Sequence, residues 1–322
     1  MDKETSNEPV SERQKPWERE VLERLAFAAL REQRSRRRWG IFFKLVGFAY
    51  LTGLIVLLVG LGPESEGHHE RHTALISLEG VIAANAEANA ENVVKALQRA
   101  YKDTKTAGVI LRINSPGGSP VQSGIIYDEI RRLRAGHPNT PLHVVVEDLC
   151  ASGGYYVAAA ADRIYVNKAS VVGSIGVLMD GFGFTGTMDK LGIERRLLTA
   201  GENKGFLDPF SPQDDRHREH AQVLLDDIHQ QFIDVVKQGR GSRLKDDPQM
   251  FSGLMWTGKK SVDMGLADGF GTVESVARDV IKAEAVVDFT VKSSLTDRLA
   301  KRFGSGMGDS IAGALRSGVQ LF

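Results

Sequence analysis

Residues 45–61 (LVGFAYLTGLIVLLVGL) carry no charge, and Ile41, Phe42 and Phe43 extend the run across the single Lys44 to about the twenty residues that a bilayer demands. A stretch of this kind predicts a transmembrane helix, and it splits the chain into unequal parts. Trp39 suits the interfacial belt, and Lys44 is placed to snorkel toward headgroups. Upstream stand Arg31, Arg34, Arg36, Arg37 and Arg38, whereas residues 63–70 hold three glutamates and no Lys or Arg. The positive-inside rule therefore puts the N-terminus in the cytoplasm and the bulk of the chain outside. A cleavable leader would have a shorter apolar core nearer the start, so the reading is an uncleaved anchor over 39–62. Residues 16–38 form a further helix candidate with a Val21, Leu22, Leu25, Ala26 and Leu30 stripe, fit for a membrane surface or a partner.

Beyond the anchor the expected layout is a linker at 63–72, one domain at 73–289 and a C-terminal extension at 290–322, after a cytoplasmic segment at 1–38. The domain reads as short apolar strands alternating with amphipathic helices. Strands are expected at 73–78, 108–113, 142–146 and 163–166, with others near 175–179 and 195–198. Helices are expected at 91–101, 121–133, 152–161 and 214–238. Repeated strand–helix units imply an α/β core with parallel strands and right-handed crossovers. With 322 residues, 42% of them hydrophobic, the chain can bury such a core. Its 41 basic and 41 acidic residues leave no overall charge to attract nucleic acid. The lone Cys150 excludes a disulfide framework and a cysteine-based zinc cluster. No Walker A or dinucleotide glycine motif follows a strand, and His217-x-x-His220 lacks the surroundings of a zinc motif.

Chemistry has to be sought at strand ends, where open α/β sheets bind ligands. The segment Asn114-Ser115-Pro116-Gly117-Gly118-Ser119 is either a turn or a backbone cradle that presents N–H groups to an oxyanion. In Cys150-Ala151-Ser152-Gly153-Gly154 the serine is either a helix cap or a nucleophile stripped of bulky neighbours. A nucleophile needs a base. The histidines offer little, although His143 lies on the preceding strand. A lysine serves only if desolvation lowers its pKa from about 10.4 toward neutrality. Lys204, in the glycine-flanked turn Gly201-Glu202-Asn203-Lys204-Gly205, suits that role better than its neighbours, the alternative being a solvated surface charge.

Taken together, Ser-Pro-Gly-Gly-Ser at 115–119, Ala-Ser-Gly-Gly-Tyr-Tyr at 151–156, Val-Gly-Ser-Ile-Gly-Val at 172–177 and Gly-Glu-Asn-Lys at 201–204 resemble the signal peptide peptidase A family of bacterial membrane-bound serine peptidases. The resemblance runs over residues 73–280. It implies a crotonase- or Clp-protease-like fold with a Ser/Lys dyad, Ser152 as nucleophile and Lys204 as general base. Ser174 would orient the lysine, and Gly118 with Gly153 would hold the oxyanion. No cofactor or metal is implied. The single module is similar to the short form of the family, a ring of about eight protomers in which the serine and lysine of one site come from adjacent subunits. The implied setting is the inner membrane, with the catalytic domain on its outer side. The implied substrates are remnant signal peptides or other apolar membrane-derived segments, docked as an added strand. Two rivals remain: a crotonase-like enzyme acting on acyl thioesters, and a catalytically silent membrane scaffold.

Overall fold

The computed structural model describes residues 16–59 and 70–291. The chain divides into two units, one spanning Ser65–Ser293 and the other containing the N-terminal helix. The helix, α1 (Pro16–Val59), runs unbroken through both the basic collar and the apolar run. Its described side chains, Ile41, Phe42, Phe43, Leu45 and Phe48 among them, are exposed. Among the described residues no helix is long and apolar enough to cross a membrane. The expected anchor at 39–62 runs past Val59 and out of the described residues, as do most of the 63–72 linker and the extension from 292 onward.

The second unit is built on an eight-stranded, mostly parallel sheet whose order is β6 (Met255–Thr257), β5 (Val171–Gly173), β3 (Leu142–Ala151), β2 (Thr106–Ser115), β1 (His72–Glu79) and β8 (Val286–Asp288), with β4 (Arg163–Val166) paired to β3 and β7 (Gly269–Phe270) to β4. Its centre is β1 (His72–Glu79), β2 (Thr106–Ser115) and β3 (Leu142–Ala151). Runs such as Val109-Ile110-Leu111 and Val144-Val145-Val146 are buried on both faces, as parallel strands covered by helices require. His72 belongs to β1 and not to a solvated linker: it is buried, stacks on Phe289 at 5.9 Å and approaches Thr106 Oγ1 at 3.4 Å.

The crossovers are α2 (Ala90–Lys102), α3 (Pro120–Gly136) and the short α4 (Gly153–Ala158). Asn89 and Ser119 cap the first two through their side chains. In α2, Val93, Ala96, Leu97, Ala100 and Tyr101 form the buried stripe. On the opposite face of the sheet Ile110, Val145 and Tyr165 pack against Val276, Ala277 and Ile281.

The strand β3 forks. Its first half, His143–Val145, pairs with β4 (Arg163–Val166) through Arg163–Tyr165, and its second half, Leu149–Ala151, pairs with β5 (Val171–Gly173). Two expected strands are corrected. The stretch 175–179 is not a strand, because Gly173 at φ 114° and Ser174 at φ 52° turn the chain out of the sheet. Residues 195–198 have apolar character but no neighbouring strand to receive their backbone groups, and Leu198 is 96% exposed. From 174 to 214 the only regular element is α5 (Thr185–Leu191), after which α6 (Asp215–Arg240) returns to the core through Phe232 and Val236.

Candidate active site

The site starts where β3 ends. Ser152 follows Ala151 at φ 50°, ψ −124°, a conformation that L-residues seldom adopt and that must be held by surrounding bonds. Those bonds are present. The Ser152 N–H donates to Gly173 O at 2.9 Å, and its carbonyl accepts from Tyr155 N–H at 2.9 Å and Tyr156 N–H at 3.0 Å. Its side chain makes no capping bond to α4, so the cap reading does not hold, and the half-buried hydroxyl has no hydrogen bond among the described residues.

Two glycine amides converge beside it. Gly117 has φ 93°, and a Cβ there would sit 2.5 Å from Gly153 N and 2.7 Å from Ala151 O, so the loop 114–119 lies backbone to backbone against the serine corner. Gly118 is pinned by Ile82, whose N–H donates to Gly117 O at 2.8 Å and whose carbonyl accepts from Ser119 N–H at 2.8 Å. A side chain at Gly118 would collide with the Ile82 carbonyl. The Gly118 nitrogen lies 3.2 Å from where a Gly153 Cβ would stand, and among the described residues neither the Gly118 nor the Gly153 N–H donates a hydrogen bond. Two unspent donors beside an unspent hydroxyl are the elements of an oxyanion site.

Ser174 is brought to the same place by strand register. Ala151 pairs with Gly173, so Ser152 and Ser174 each follow directly on a paired position, and the Ser152 N–H bonds to the Gly173 carbonyl. Ser174 also has a positive φ of 52°, and its N–H donates to Leu254 O at 2.8 Å. Cys150 is wholly buried behind the corner, where burial raises its thiol pKa and leaves it unreactive.

Lys204 is not gathered into this cluster. It is exposed in a turn at 201–207, its N–H bonded to Gly201 O at 3.1 Å, and no hydrogen bond joins it to Ser152 or Ser174 within the chain. His143 is excluded as the base. It is buried near the start of β3, edge-on to Tyr165 at 5.9 Å, with its pKa pushed down by burial. It stands nine residues before Ser152, roughly 30 Å along an extended strand. Among the described residues no group of His, Cys, Asp and Glu could hold a metal, and both His217 and His220 contact Phe206 instead. Sequence reasoning missed Ile82 and Ser123. Ile82 forms a bridge that depends on β1 and the 114–119 loop meeting in space. The buried hydroxyl of Ser123 lies 2.5 Å from where a Gly153 Cβ would stand.

The family model for peptidase family S49 matches residues 135–287, a span that includes Ser152, Ser174 and Lys204. A protein of Methanocaldococcus jannaschii that bears the name of a protease is 30% identical over 235 residues, 70% of this chain and 75% of that one. The chain belongs to peptidase family S49. An Enterococcus faecium protein that bears the name signal peptide peptidase SppA is 27% identical over 234 residues, 70% of this chain and 67% of its own. A Brucella melitensis protein named Na(+)/H(+) antiporter NhaA is 47% identical over 182 residues, 56% of this chain. The chain spans about a quarter of the length of that relative, 25%. Within family S49, a family of serine peptidases, the strained Ser152 corner lies inside the matched span, and Gly117 and Gly118 of its cradle lie before it.

Proposed function

We propose that this chain is a membrane-anchored serine endopeptidase in which Ser152 is the nucleophile and Lys204 the general base, acting on remnant signal peptides and other apolar, membrane-derived peptides. The observation that carries this reading is Ser152 itself: a serine at positive φ whose hydroxyl caps nothing, beside two unspent glycine N–H groups. We read the sheet, with β3 forked between two partners, as a crotonase- or Clp-protease-like fold.

In the reaction the neutral Lys204 amine takes the Ser152 hydroxyl proton as the oxygen bonds to the peptide carbonyl carbon. The Gly118 and Gly153 N–H groups receive the resulting oxyanion, and Ser174 orients the lysine. The ammonium then returns its proton to the departing amine as the peptide C–N bond breaks, leaving an ester on Ser152. Water, deprotonated by the same lysine, cleaves that ester and restores the serine.

Exposure of Lys204 in the single chain supports a site completed by a neighbouring subunit in a ring of about eight. So do Leu178, Phe182, Leu191 and Leu198 of the segment that carries it, large apolar side chains left exposed in the single chain. For the anchor the support is α1 itself. Trp39, Phe42 and Phe43 pack on one another at 5.6–5.8 Å at the start of the apolar run. The Thr52 hydroxyl is satisfied by Phe48 O at 2.8 Å, as a lipid surrounding requires. The orientation rests on the basic collar, with the catalytic domain on the outer side of the inner membrane.

The test is hydrolysis of an apolar peptide ester and of a signal peptide by the full chain in detergent. Ser152→Ala and Lys204→Ala are each expected to abolish turnover almost completely while the assembly stays intact. Unchanged turnover in either variant removes that residue from the dyad.

A further inference from the structure

The turn that carries Lys204 is clamped from both sides by the first turns of α6. Before the lysine, Glu202 Oε1 accepts from Arg216 Nη1 at 2.9 Å, and Asn203 Oδ1 lies 3.3 Å from His217 Nε2. After it, the Phe206 ring packs on His217 at 5.3 Å between centroids and on His220 at 5.8 Å. The turn closes on itself through Lys204 N–H to Gly201 O and Phe206 N–H to Asn203 O, both 3.1 Å. Among the described residues no hydrogen bond or ion pair joins any of these groups to the lysine amine.

The parts differ in weight. The Glu202–Arg216 pair is exposed on both sides and shares Arg216 with Asp214, the α6 cap, so it contributes little. His217 is half-buried and makes two contacts at once, donating through Nε2 to Asn203 and facing the Phe206 ring, so it reaches residues on both sides of position 204. Its other flank borders a cavity of about 660 Å³ with Phe182, Leu207 and Ala221 in its walls. With that space alongside, the turn has room to move if His217 is lost.

We propose that His217 is a positioning residue for Lys204, locking the base-bearing turn to α6 through Asn203 and Phe206. The inference rests on the assignment of Lys204 as the base. A base on an exposed turn gains nothing from proximity unless the turn is fixed, and a displacement of about 1 Å can cost on the order of a hundredfold in rate.

The experiment measures kcat and KM of the full chain in detergent on an apolar peptide ester, with Lys204→Ala as reference and light scattering to follow assembly. His217→Ala is expected to lower kcat about 10- to 100-fold with KM within about twofold, because the loss is of base placement and not of substrate contact. His217→Gln, whose amide N–H reaches the same Asn203 oxygen, is expected to regain most of kcat. Combining His217→Ala with Asn203→Ala is expected to be no worse than His217→Ala alone, because Asn203 acts on the turn through that imidazole. Wild-type kcat in His217→Ala, beside an inactive Lys204→Ala, would overturn the positioning role and leave the dyad standing. A loss that Gln does not restore, and that adds to the Asn203→Ala loss, would overturn it too. Turnover surviving in Lys204→Ala would instead overturn the base assignment beneath it. If His217→Ala fails to assemble, Asn203→Ala, which leaves α6 unaltered, decides by the same kcat criterion.

Discussion

At Gly153 the absence of a side chain serves two ends. A Cβ there would stand 2.5 Å from Ser123 Oγ and 3.2 Å from the Gly118 nitrogen, so it would push into the helix below and into the opposite wall of the proposed oxyanion site together. Gly153→Ala keeps its own N–H but crowds that of Gly118, so it is expected to lower kcat by up to about 10²-fold, the scale of one impaired oxyanion donor, and to lower Tm as well. The two effects are separable. Ser123 Oγ is buried without a partner, so Ser123→Ala by itself should cost little or stabilise. In the double variant the nearest atom on that side becomes the Ser123 Cβ at 3.5 Å, an ordinary contact, while the crowding of Gly118 persists. Thermal melting should then recover and kcat should not. Full activity in Gly153→Ala would mean that crowding the Gly118 N–H costs nothing, and would remove that group from the oxyanion site.

Among the elements, the one that backs the site is held by a charge. Asp268 Oδ2 accepts from Ile164 N–H of β4 and from Arg240 Nη1 at the end of α6, both at 2.7 Å, and Arg243 Nη1 approaches its other oxygen at 3.3 Å. Nearby, Tyr155 of α4 donates its hydroxyl proton to Leu266 O at 2.8 Å, tying the helix behind Ser152 to the same segment. Burial pushes the Asp268 carboxyl toward a higher pKa, but the bond and charge of Arg240 outweigh it, and the net shift is downward. A carboxylate depressed in this way stabilises the fold fully above its unfolded value, about 4, and loses that contribution as pH falls through the folded value. Asp268→Asn should thus destabilise by about 3 kcal/mol at pH 7, since Arg240, 1% exposed, would be left as an uncompensated buried charge. Urea midpoints should show the gap to wild type narrowing in increasingly acid buffer; a gap independent of pH would remove the charge from the explanation. This hub was invisible in the sequence, because its members, Arg240 and Asp268, come together only through tertiary packing. The parts that were legible had strong periodicity, β1, β2, β4, α2, α3 and α6. In β3 the expected end at Val146 is five residues short, since Glu147 and Asp148 interrupt the apolar run although their side chains face outward. The strands β6 (Met255–Thr257), β7 (Gly269–Phe270) and β8 (Val286–Asp288) are too short for any period and are specified by their partners. The glycine-flanked motif exposed Ser152 as a candidate, and the resemblance to the peptidase family added Gly118 and Ser174; the register that pairs Ala151 with Gly173 had no local signal.

On the scale of the whole molecule, one chain holds a serine corner with its cradle and, on an exposed arm, a lysine that does not reach it. The arm from 174 to 214 has apolar side chains without a core of its own size to bury them, Leu178 at 80% exposure and Phe182 at 78% among them. A heterologous contact that repeats around a ring would cover such an arm on the next subunit, and one protomer's lysine would then serve its neighbour's serine. This predicts complementation. A protomer with Ser152→Ala keeps its lysine, and one with Lys204→Ala keeps its serine; each assembly alone should be inactive. Co-expressed in equal amounts and assembled at random, they would form about a quarter of their sites from an intact serine facing an intact lysine, and turnover should return to about a quarter of wild type. If instead serine and lysine of one site belong to the same chain, every site in the mixture lacks one of them and the mixture stays inactive. Joining both substitutions in one protomer and mixing it with wild type gives the control: activity should again fall to about a quarter for the shared site, but only to about half for the self-contained one.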